Sequence, residues 1–210
     1  MFSRKLKPDE RLLLERVEDL VRRTFDGLSA DPPQPLEVLK VAVAIGAKVT
    51  EPVNPIVLSA SALAYRFARG LVPEGPAGGF VGAAVVEAFL RSTNLSERER
   101  VQIVRAVSAI GSPEYCPAET VEERVVADAV AIEALGMMGI LRAMRESPAG
   151  LGSFIRDERQ RRKHRFDTLH FDASREIAQT MFQQGDVFLK TVEKAYHASA
   201  AGLADAALPV

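Results

Sequence analysis

The sequence has little of several residues on which protein function often depends. There is no tryptophan, aromatic residues make up 6% of the chain, and Cys116 is the single cysteine among 210 residues. One cysteine excludes an intramolecular disulfide and is typical of a reducing compartment. The formal net charge is −1, so there is no global basic field to hold nucleic acid or an anionic membrane.

Long apolar runs are also missing. No stretch of about 18 apolar residues is present, so no transmembrane helix is expected. The charged start, MFSRKLKPDERLLLERVEDL, lacks the apolar region of a signal peptide. Hydrophobic residues are nonetheless 47% and charged residues 26% of the chain, the balance of a globular protein with a normal core. These features predict a cytoplasmic protein without nucleic-acid or membrane partners.

Helical signals run along the chain and no convincing strand is present, which predicts an all-α, single-domain bundle of about eight helices. Ser96 with Glu99, and Thr120 with Glu123, are capping boxes that mark two helix starts. A first helix is expected from Pro8, and a second along the apolar face of Leu36, Leu39, Val43 and Ala47. Further helices are expected over 56–69, 81–92, 96–110, 120–136 and 173–200, with a short helix in 138–147. Breaks are expected at 30–35, at 111–117, and at 70–79, the most flexible internal loop.

Two segments have contrasting surfaces. The helix over 56–69 is apolar nearly all round, which predicts burial on every side. The basic run RQRRKHR, 159–165, is predicted to be an exposed arm or a partner-binding segment. His164 and His170, which have Asp167 and Asp172 nearby, are predicted to lie on a solvated surface rather than in a metal site, and the third histidine, His197, is also C-terminal. Cys116 is predicted to be an incidental thiol, because no histidine lies near it in sequence to activate it.

Four segments, in this order, resemble parts of the HD-domain superfamily, whose members are helical, metal-dependent phosphohydrolases. LEVLKVAVAIGAKV (36–49) is similar to the helix with the family's first metal-binding histidine, and LSASALAYRFARG (58–70) to the helix that ends in its His-Asp pair. VVADAVAIEALGMMGILRAM (125–144) resembles the segment with the last metal-binding aspartate. SREIAQTMFQQGDVFLKTVEKAY (174–196) resembles the closing helix of the small stand-alone branch.

The resemblance covers roughly 36–196 of the chain. It implies an N-terminal helix over 1–30, an HD-like helical domain over 31–200 and a tail over 201–210. The resemblance also assigns residues of this chain to the family's metal positions, and none of them matches the family's ligand. These residues are Glu37, Tyr65, Arg66, Gly78, Ile110 and Val130, with the acidic Asp128 two positions before the last.

Arginine at the centre of such a site disfavours a metal. A guanidinium is always protonated and has no lone pair to offer a cation, and tyrosine is a poor ligand at neutral pH. We therefore expect a degenerate HD site that holds neither metal nor other cofactor.

New roles are predicted for the residues that replace the metal ligands. Tyr65 is a candidate general acid, Arg66 an anchor for an anionic or carbonyl group, and Glu37 a general base, so these three are the predicted catalytic residues. Structural alternatives stay open: a core tyrosine bonded to backbone, and a salt bridge from Arg66 to Glu37 or Asp128. The predicted ligand-binding residues are Asp128, Phe67, Phe80, Ile110 and Met137, with Ala62, Ala64, Val81 and Ala84 also lining the cavity.

Three functions follow from this pattern. The first is a repurposed HD fold that binds a mainly apolar small molecule in the former metal cavity and, as an enzyme, catalyses a cofactor-free cyclisation, isomerisation or elimination in secondary metabolism. The second is a non-catalytic pseudo-enzyme, a binding or regulatory subunit that forms a homodimer through its first and last helices. The third is a divergent phosphohydrolase with relocated ligands, such as Glu37, Asp128 and a C-terminal histidine.

Overall fold

The computed structural model describes the backbone of residues 1–26, 34–67 and 78–205, and the side chains of 1–23, 34–67 and 78–198. Within these ranges the chain forms nine α-helices and, apart from an isolated bridge between Phe2 and Val53, no β-structure. The helices are α1 (Pro8–Asp26), α2 (Gln34–Lys48), α3 (Pro55–Ala64), α4 (Gly78–Leu90), α5 (Glu97–Gly111), α6 (Val121–Leu135), α7 (Met137–Glu146), α8 (Leu151–Asp167) and α9 (Asp172–Asp205). The all-α prediction is confirmed.

The chain divides into two compact units, Met1–Val130 and Ala131–Val210, with the boundary inside α6. In the first unit α3 is the central helix, since α1, α2 and α5 all pack against it, and α4 packs on α5. Every residue of α3 is buried, which confirms the burial predicted from its all-round apolar sequence. In the second unit α8 packs along α9, and α7 contacts both.

Local capping sets two helix starts as predicted. The Ser96 hydroxyl accepts from the Glu99 N–H at 3.3 Å, and the Glu99 carboxylate accepts from the Ser96 N–H at 3.2 Å, which completes the box of α5. At the start of α6 the Glu123 carboxylate accepts from the Thr120 N–H at 3.2 Å, and the Thr120 hydroxyl accepts from the Glu123 N–H at 3.3 Å. Each box satisfies backbone donors that a helix start leaves without partners.

A charged cluster ties the N-terminal segment to α1 and α5. Both guanidinium nitrogens of Arg4 donate to the Glu10 carboxylate, at 2.7 and 2.6 Å, and one of them also donates to Glu99 at 3.0 Å. The Lys7 N–H donates to Glu10 at 2.8 Å. The Arg4 hydrogen bond lowers the pKa of Glu10, while burial opposes that change. The Arg4 guanidinium and the Lys7 N–H thus keep the buried Glu10 carboxylate ionised.

The predicted apolar face of α2 is wrong. The structure buries Val38, Ala42 and Ile45 and leaves Val43 and Ala47 exposed. Leu36 and Leu39 of the predicted face are only partly buried against the core of the first unit. Because α2 carries apolar residues on more than one side, the helical period alone did not select the buried side.

The loop predicted over 70–79 also needs correction. Residues 70–77 lie outside the described residues, but α4 already begins at Gly78. Most of the break predicted at 30–35 lies outside the described residues as well, and α2 begins at Gln34 within it. The glycines of 70–79 suggest a break in the helix, but at a helix start glycine is tolerated and permits close packing, as at Gly78 and Gly79 in α4.

The basic run over 159–165 is not an exposed arm; it lies in α8. Glu158, on the same helix, is fully buried and accepts hydrogen bonds from Arg161 at 2.9 Å and Arg165 at 3.0 Å. Arg162 is 1% exposed. Dense charge in a sequence suggests a solvated segment. Here, however, Arg161 and Arg165 pair with the buried Glu158 of the same helix.

Across the described residues, none of the helices combines the length and apolarity needed to cross a membrane.

Candidate functional site

Tyr65 and Arg66 follow directly on the last turn of α3. The Tyr65 N–H donates to the Ser61 carbonyl at 3.1 Å, and its hydroxyl is buried. The Arg66 guanidinium is half-buried and donates to the side-chain carbonyl of Gln34, the first residue of α2. Arg66 therefore joins the end of α3 to the start of α2.

Glu37 does not occupy the buried position predicted for a general base. Its side chain is 41% exposed, and its carboxylate accepts from Lys40, one turn along α2, at 2.8 Å. The Glu37 alternative of the predicted Arg66 salt bridge is therefore replaced by an ion pair within α2. The Asp128 alternative stays a prediction. Asp128, in contrast, is 1% exposed on α6.

The predicted ligand-binding residues have different surroundings. Phe67 belongs to the hydrophobic core of the first unit, where its ring meets the edge of Phe89 with centroids 6.3 Å apart. Ile110 is half-buried near the end of α5, and Phe80 is exposed on α4. Met137 is exposed at the start of α7, in the second unit. Their role in binding stays a prediction.

The residues that the resemblance assigns to the metal positions differ from the imidazole and carboxylate ligands of the HD family. A guanidinium and a phenol stand at Arg66 and Tyr65, and Glu37 is paired with a lysine. Among the described residues, no group of three or more His, Cys, Asp or Glu side chains is arranged to hold a metal ion. His164, His170 and His197 are exposed, as predicted for the first two. We assign no metal-dependent step to these residues.

The N-terminus of α4 packs closely on the C-terminus of α5. A Cβ at Gly79 would lie 2.5 Å from the carbonyl carbon of Gly111 and 2.5 Å from the hydroxyl of Ser112, closer than real side chains approach. Only a residue without a side chain permits this contact. It brings together the helix ends that carry Gly78 and Ile110, two positions that the resemblance assigns to metal-binding histidines.

Along the same two helices the first unit has a cleft of about 520 Å³, which we call the α4–α5 cleft. One apolar side is formed by Phe80, Val101 and Val104. The full lining is Phe80, Glu87, Arg91, Glu97, Arg100, Val101, Val104, Arg105, Ser108 and Cys116.

Two of the three arginines in the cleft are neutralised by carboxylates. Arg91 pairs with Glu87 at 2.7 Å. Arg105 pairs with Glu119 at 2.7 Å and with the buried Glu123. The Glu123 hydrogen bond raises the pKa of Arg105, with burial opposing.

Arg100 differs from both of them. Within the described part of the chain it has no ion-pair partner, and its Nε is buried without a hydrogen-bond partner. A half-buried guanidinium without a partner is costly, because desolvation is not offset by pairing. In the cleft it is the charge available to an incoming group.

Sequence reasoning found Phe80 and missed the rest of the cleft. The signal was present in ERERVQIVRAVS, where the cleft residues of α5 repeat with the period of one helix face. They are Arg100, Val101, Val104, Arg105 and Ser108. Sequence alone does not show which arginines of the cleft lack a carboxylate partner.

Comparison with known proteins identifies the fold. No protein-family model matches the chain, and no curated protein matches its sequence. A solved structure does match: the crystal structure of an HD-superfamily hydrolase from Bacillus thuringiensis, with a TM-score of 0.64 and 17% sequence identity over 90% of this chain and 99% of that chain. An identity this low establishes the architecture and not the activity. The chain therefore shares the fold of that hydrolase, which is the fold that the resemblance predicted.

Proposed function

We propose that this HD-fold protein binds a small, mainly apolar organic molecule and works without a catalytic metal. The residues at the family's metal positions support the second part of the proposal. HD chemistry depends on imidazole and carboxylate ligands that hold a divalent ion. The resemblance assigns Tyr65 and Arg66 of this chain to the place of the His-Asp pair.

The α4–α5 cleft carries the first part of the proposal. Its volume of about 520 Å³ lies within the range of pockets that hold small organic ligands, about 300–1,000 Å³. Phe80 and Val101 offer exposed apolar surface on one side of it, and charged groups surround that surface. In pockets for organic molecules, apolar surface holds the body of the ligand and polar groups fix its orientation.

The position of the ligand differs from the one expected from sequence. The sequence placed the molecule beside Tyr65 and Arg66, whereas we place it between α4 and α5. Phe80, one of the predicted ligand-binding residues, lines the cleft, and Phe67, another of them, is part of the core. Tyr65 and Arg66 stay predicted anchors with no ligand assigned to them.

A site of this kind supports reactions that need only proton transfer and positioning. Cyclisation, isomerisation and elimination belong to this class, because the barrier falls when the substrate is held in a reactive shape and one group exchanges a proton. We propose this class if turnover accompanies binding, and a binding role without chemistry otherwise.

The test combines metal analysis with an apolar probe. Protein purified without chelator is analysed for divalent metal, and N-phenyl-1-naphthylamine, a neutral and apolar fluorescent probe, is titrated before and after EDTA. We expect no stoichiometric metal and saturable binding that EDTA leaves unchanged. Stoichiometric metal whose removal abolishes binding, or no saturable binding at all, would overturn the proposal.

A matched pair of variants locates the probe. Val101 in the cleft and Val187 on α9 are similarly exposed, at 59% and 63%. A glutamate at each position adds the same charge to the surface of a helix. We expect V101E to abolish probe binding and V187E to leave it unchanged; equal effects would show that the probe does not bind in the cleft.

A further inference from the structure

We infer that the ligand of the α4–α5 cleft is an organic acid: an apolar body that ends in one carboxylate, which Arg100 binds. The inference rests on the proposed function, because it names the chemical class of the molecule that the same cleft would hold. Two observations support it: Arg100 lines the cleft, and within the described residues it has no ion-pair partner.

Arg100 is the arginine of the cleft whose charge is not already satisfied. Arg91 is paired with Glu87, and Arg105 with Glu119 and the buried Glu123. Arg100 has no such partner within the described residues, although its Nε is buried. A guanidinium presents a planar set of N–H donors that matches a carboxylate in two parallel hydrogen bonds.

The apolar wall follows Arg100 directly along α5. Val101 is the next residue and Val104 lies one turn further, so both lie beside Arg100 on the cleft side of the helix. Phe80 of α4 also lines the cleft. A molecule with its acid group at Arg100 therefore has apolar surface within reach for its body.

The pairing of the lining arginines limits how much negative charge a ligand can bring. Arg91 is paired with Glu87, and Arg105 with Glu119 and Glu123, so among the described residues Arg100 is the lining arginine left to pair with a ligand. A single carboxylate matches this one guanidinium. A polyphosphate would bring several negative charges close to Glu87 and Glu97 and meet repulsion from them.

Cys116 provides a built-in reporter of occupancy. It is the single cysteine of the chain, it lines the cleft, and it is half-buried. A ligand in the cleft should therefore slow the alkylation of this thiol by iodoacetamide, and mass spectrometry of the intact protein measures the rate.

The experiment compares three probes of equal chain length: decanoate, 1-decanol and decyltrimethylammonium, each below its micellar concentration. Affinity is measured by displacement of the neutral dye N-phenyl-1-naphthylamine, and occupancy by protection of Cys116. We expect decanoate to bind about tenfold more tightly than decanol, the size of one charge-assisted hydrogen-bonded contact, and the ammonium probe to bind most weakly. Adenosine diphosphate serves as the polyphosphate arm and should neither displace the dye nor protect the thiol.

A matched pair of variants isolates Arg100. R100Q removes the proposed anchor, whereas R98Q makes the same change two residues away, at an exposed position that lines a separate groove with Ser3. We expect R100Q to weaken decanoate about tenfold and leave decanol unchanged, with R100K intermediate because lysine lacks the planar fork. R98Q should change neither affinity. Circular dichroism melts confirm that the variants fold.

The outcomes separate the two proposals. Decanol binding as tightly as decanoate, equal losses for both probes in R100Q, or tighter binding of adenosine diphosphate would overturn the organic-acid assignment and leave the proposed function standing. Decanoate that binds without protecting Cys116 would also overturn it, since the acid would then lie elsewhere. If none of the apolar probes binds, both proposals are overturned together.

Discussion

The guanidinium of Arg162 occupies the space that a side chain at residue 185 would fill. A Cβ built at Gly185 would lie 2.5 Å from the Arg162 Cζ and 2.6 Å from its Nη1. In this place Arg162 donates to the Phe182 carbonyl at 2.8 Å and to the carbonyl of Leu135, the last residue of α6. The glycine in α9 is what permits a buried arginine to lie against that helix.

Gly185→Ala should therefore destabilise the protein even though alanine is the better helix former. Propensity alone favours alanine by about 1 kcal/mol. We expect a net loss of about 2–4 kcal/mol in the free energy of unfolding, because the new methyl displaces a buried guanidinium from its carbonyl partners. Urea unfolding followed by circular dichroism measures the change.

Gly152→Ala is the matched control, also inside a helix of the second unit. Its Cβ would lie 3.4 Å from the Tyr196 ring, an ordinary contact. This variant should be unchanged or more stable, as propensity predicts. If G185A is as stable as the starting protein, Arg162 has another position of equal energy and the account of this contact is wrong.

Glu10 should make stability depend on pH in the acid range. Its pKa is lowered from 4.5, chiefly by the Arg4 hydrogen bond and against the effect of burial. The unfolded chain therefore binds a proton more readily than the folded one. The stabilisation is complete above the ordinary pKa and is lost as pH falls through the lowered folded-state pKa.

Glu10→Gln tests this dependence. We expect the variant to lose about 2 kcal/mol of unfolding free energy at pH 7, the value of a buried hydrogen bond to a charged group, and to lose less relative to the starting protein at pH 3. Glu15→Gln, at an exposed position of the same helix, is the control and should follow the starting protein at both pH values. A constant difference for E10Q across pH would contradict the ion pair with Arg4.

Gly79→Ala should separate α4 from α5. The new Cβ would meet the backbone of Gly111 at 2.5 Å, and backbone atoms move less readily than a side chain. We expect a loss of about 1–3 kcal/mol in unfolding free energy and weaker binding of an apolar probe in the α4–α5 cleft. Gly150→Ala, where nothing lies within 4 Å of the new Cβ, should stay within about 1 kcal/mol and bind the probe normally.

Much of the fold was predictable, because its signals are local. The capping boxes at Ser96 and Thr120 needed only two residues each, and the continuous apolar sequence of α3 could lie only at the centre of a unit. The α8 helix was missed because Glu158 and Arg162 are charged, and charge in sequence suggests solvent. Their burial depends on partners several residues away along the helix or on another helix, such as Phe182.

The candidate site was less predictable than the fold. The resemblance to the HD superfamily directed attention to Tyr65, Arg66 and Glu37, but pairing is a property of three-dimensional neighbours. The structure pairs Glu37 with Lys40 and Arg66 with Gln34. Arg100 looks in sequence like the other two arginines of the cleft, and its lack of an ion-pair partner among the described residues distinguishes it.

Glu37→Gln should have little effect on ligand binding or stability, unlike the same change at a residue of the site. Its ion pair with Lys40 is exposed, and such pairs contribute about 0.3–0.5 kcal/mol on a helix. We expect unchanged binding of the apolar probe and a change in unfolding free energy below about 0.5 kcal/mol. Loss of ligand binding in E37Q, with the fold intact, would return this residue to the site predicted from sequence.

The most direct test of the central claim is a crystal structure of protein purified without chelator and grown with decanoate. The account predicts electron density for the acid in the α4–α5 cleft, with its carboxylate within hydrogen-bond distance of Arg100, and no metal among Glu37, Tyr65, Arg66 and Asp128. A divalent ion bound by Asp128, with the cleft empty of ligand, would contradict the account and favour a metal-dependent hydrolase with relocated ligands.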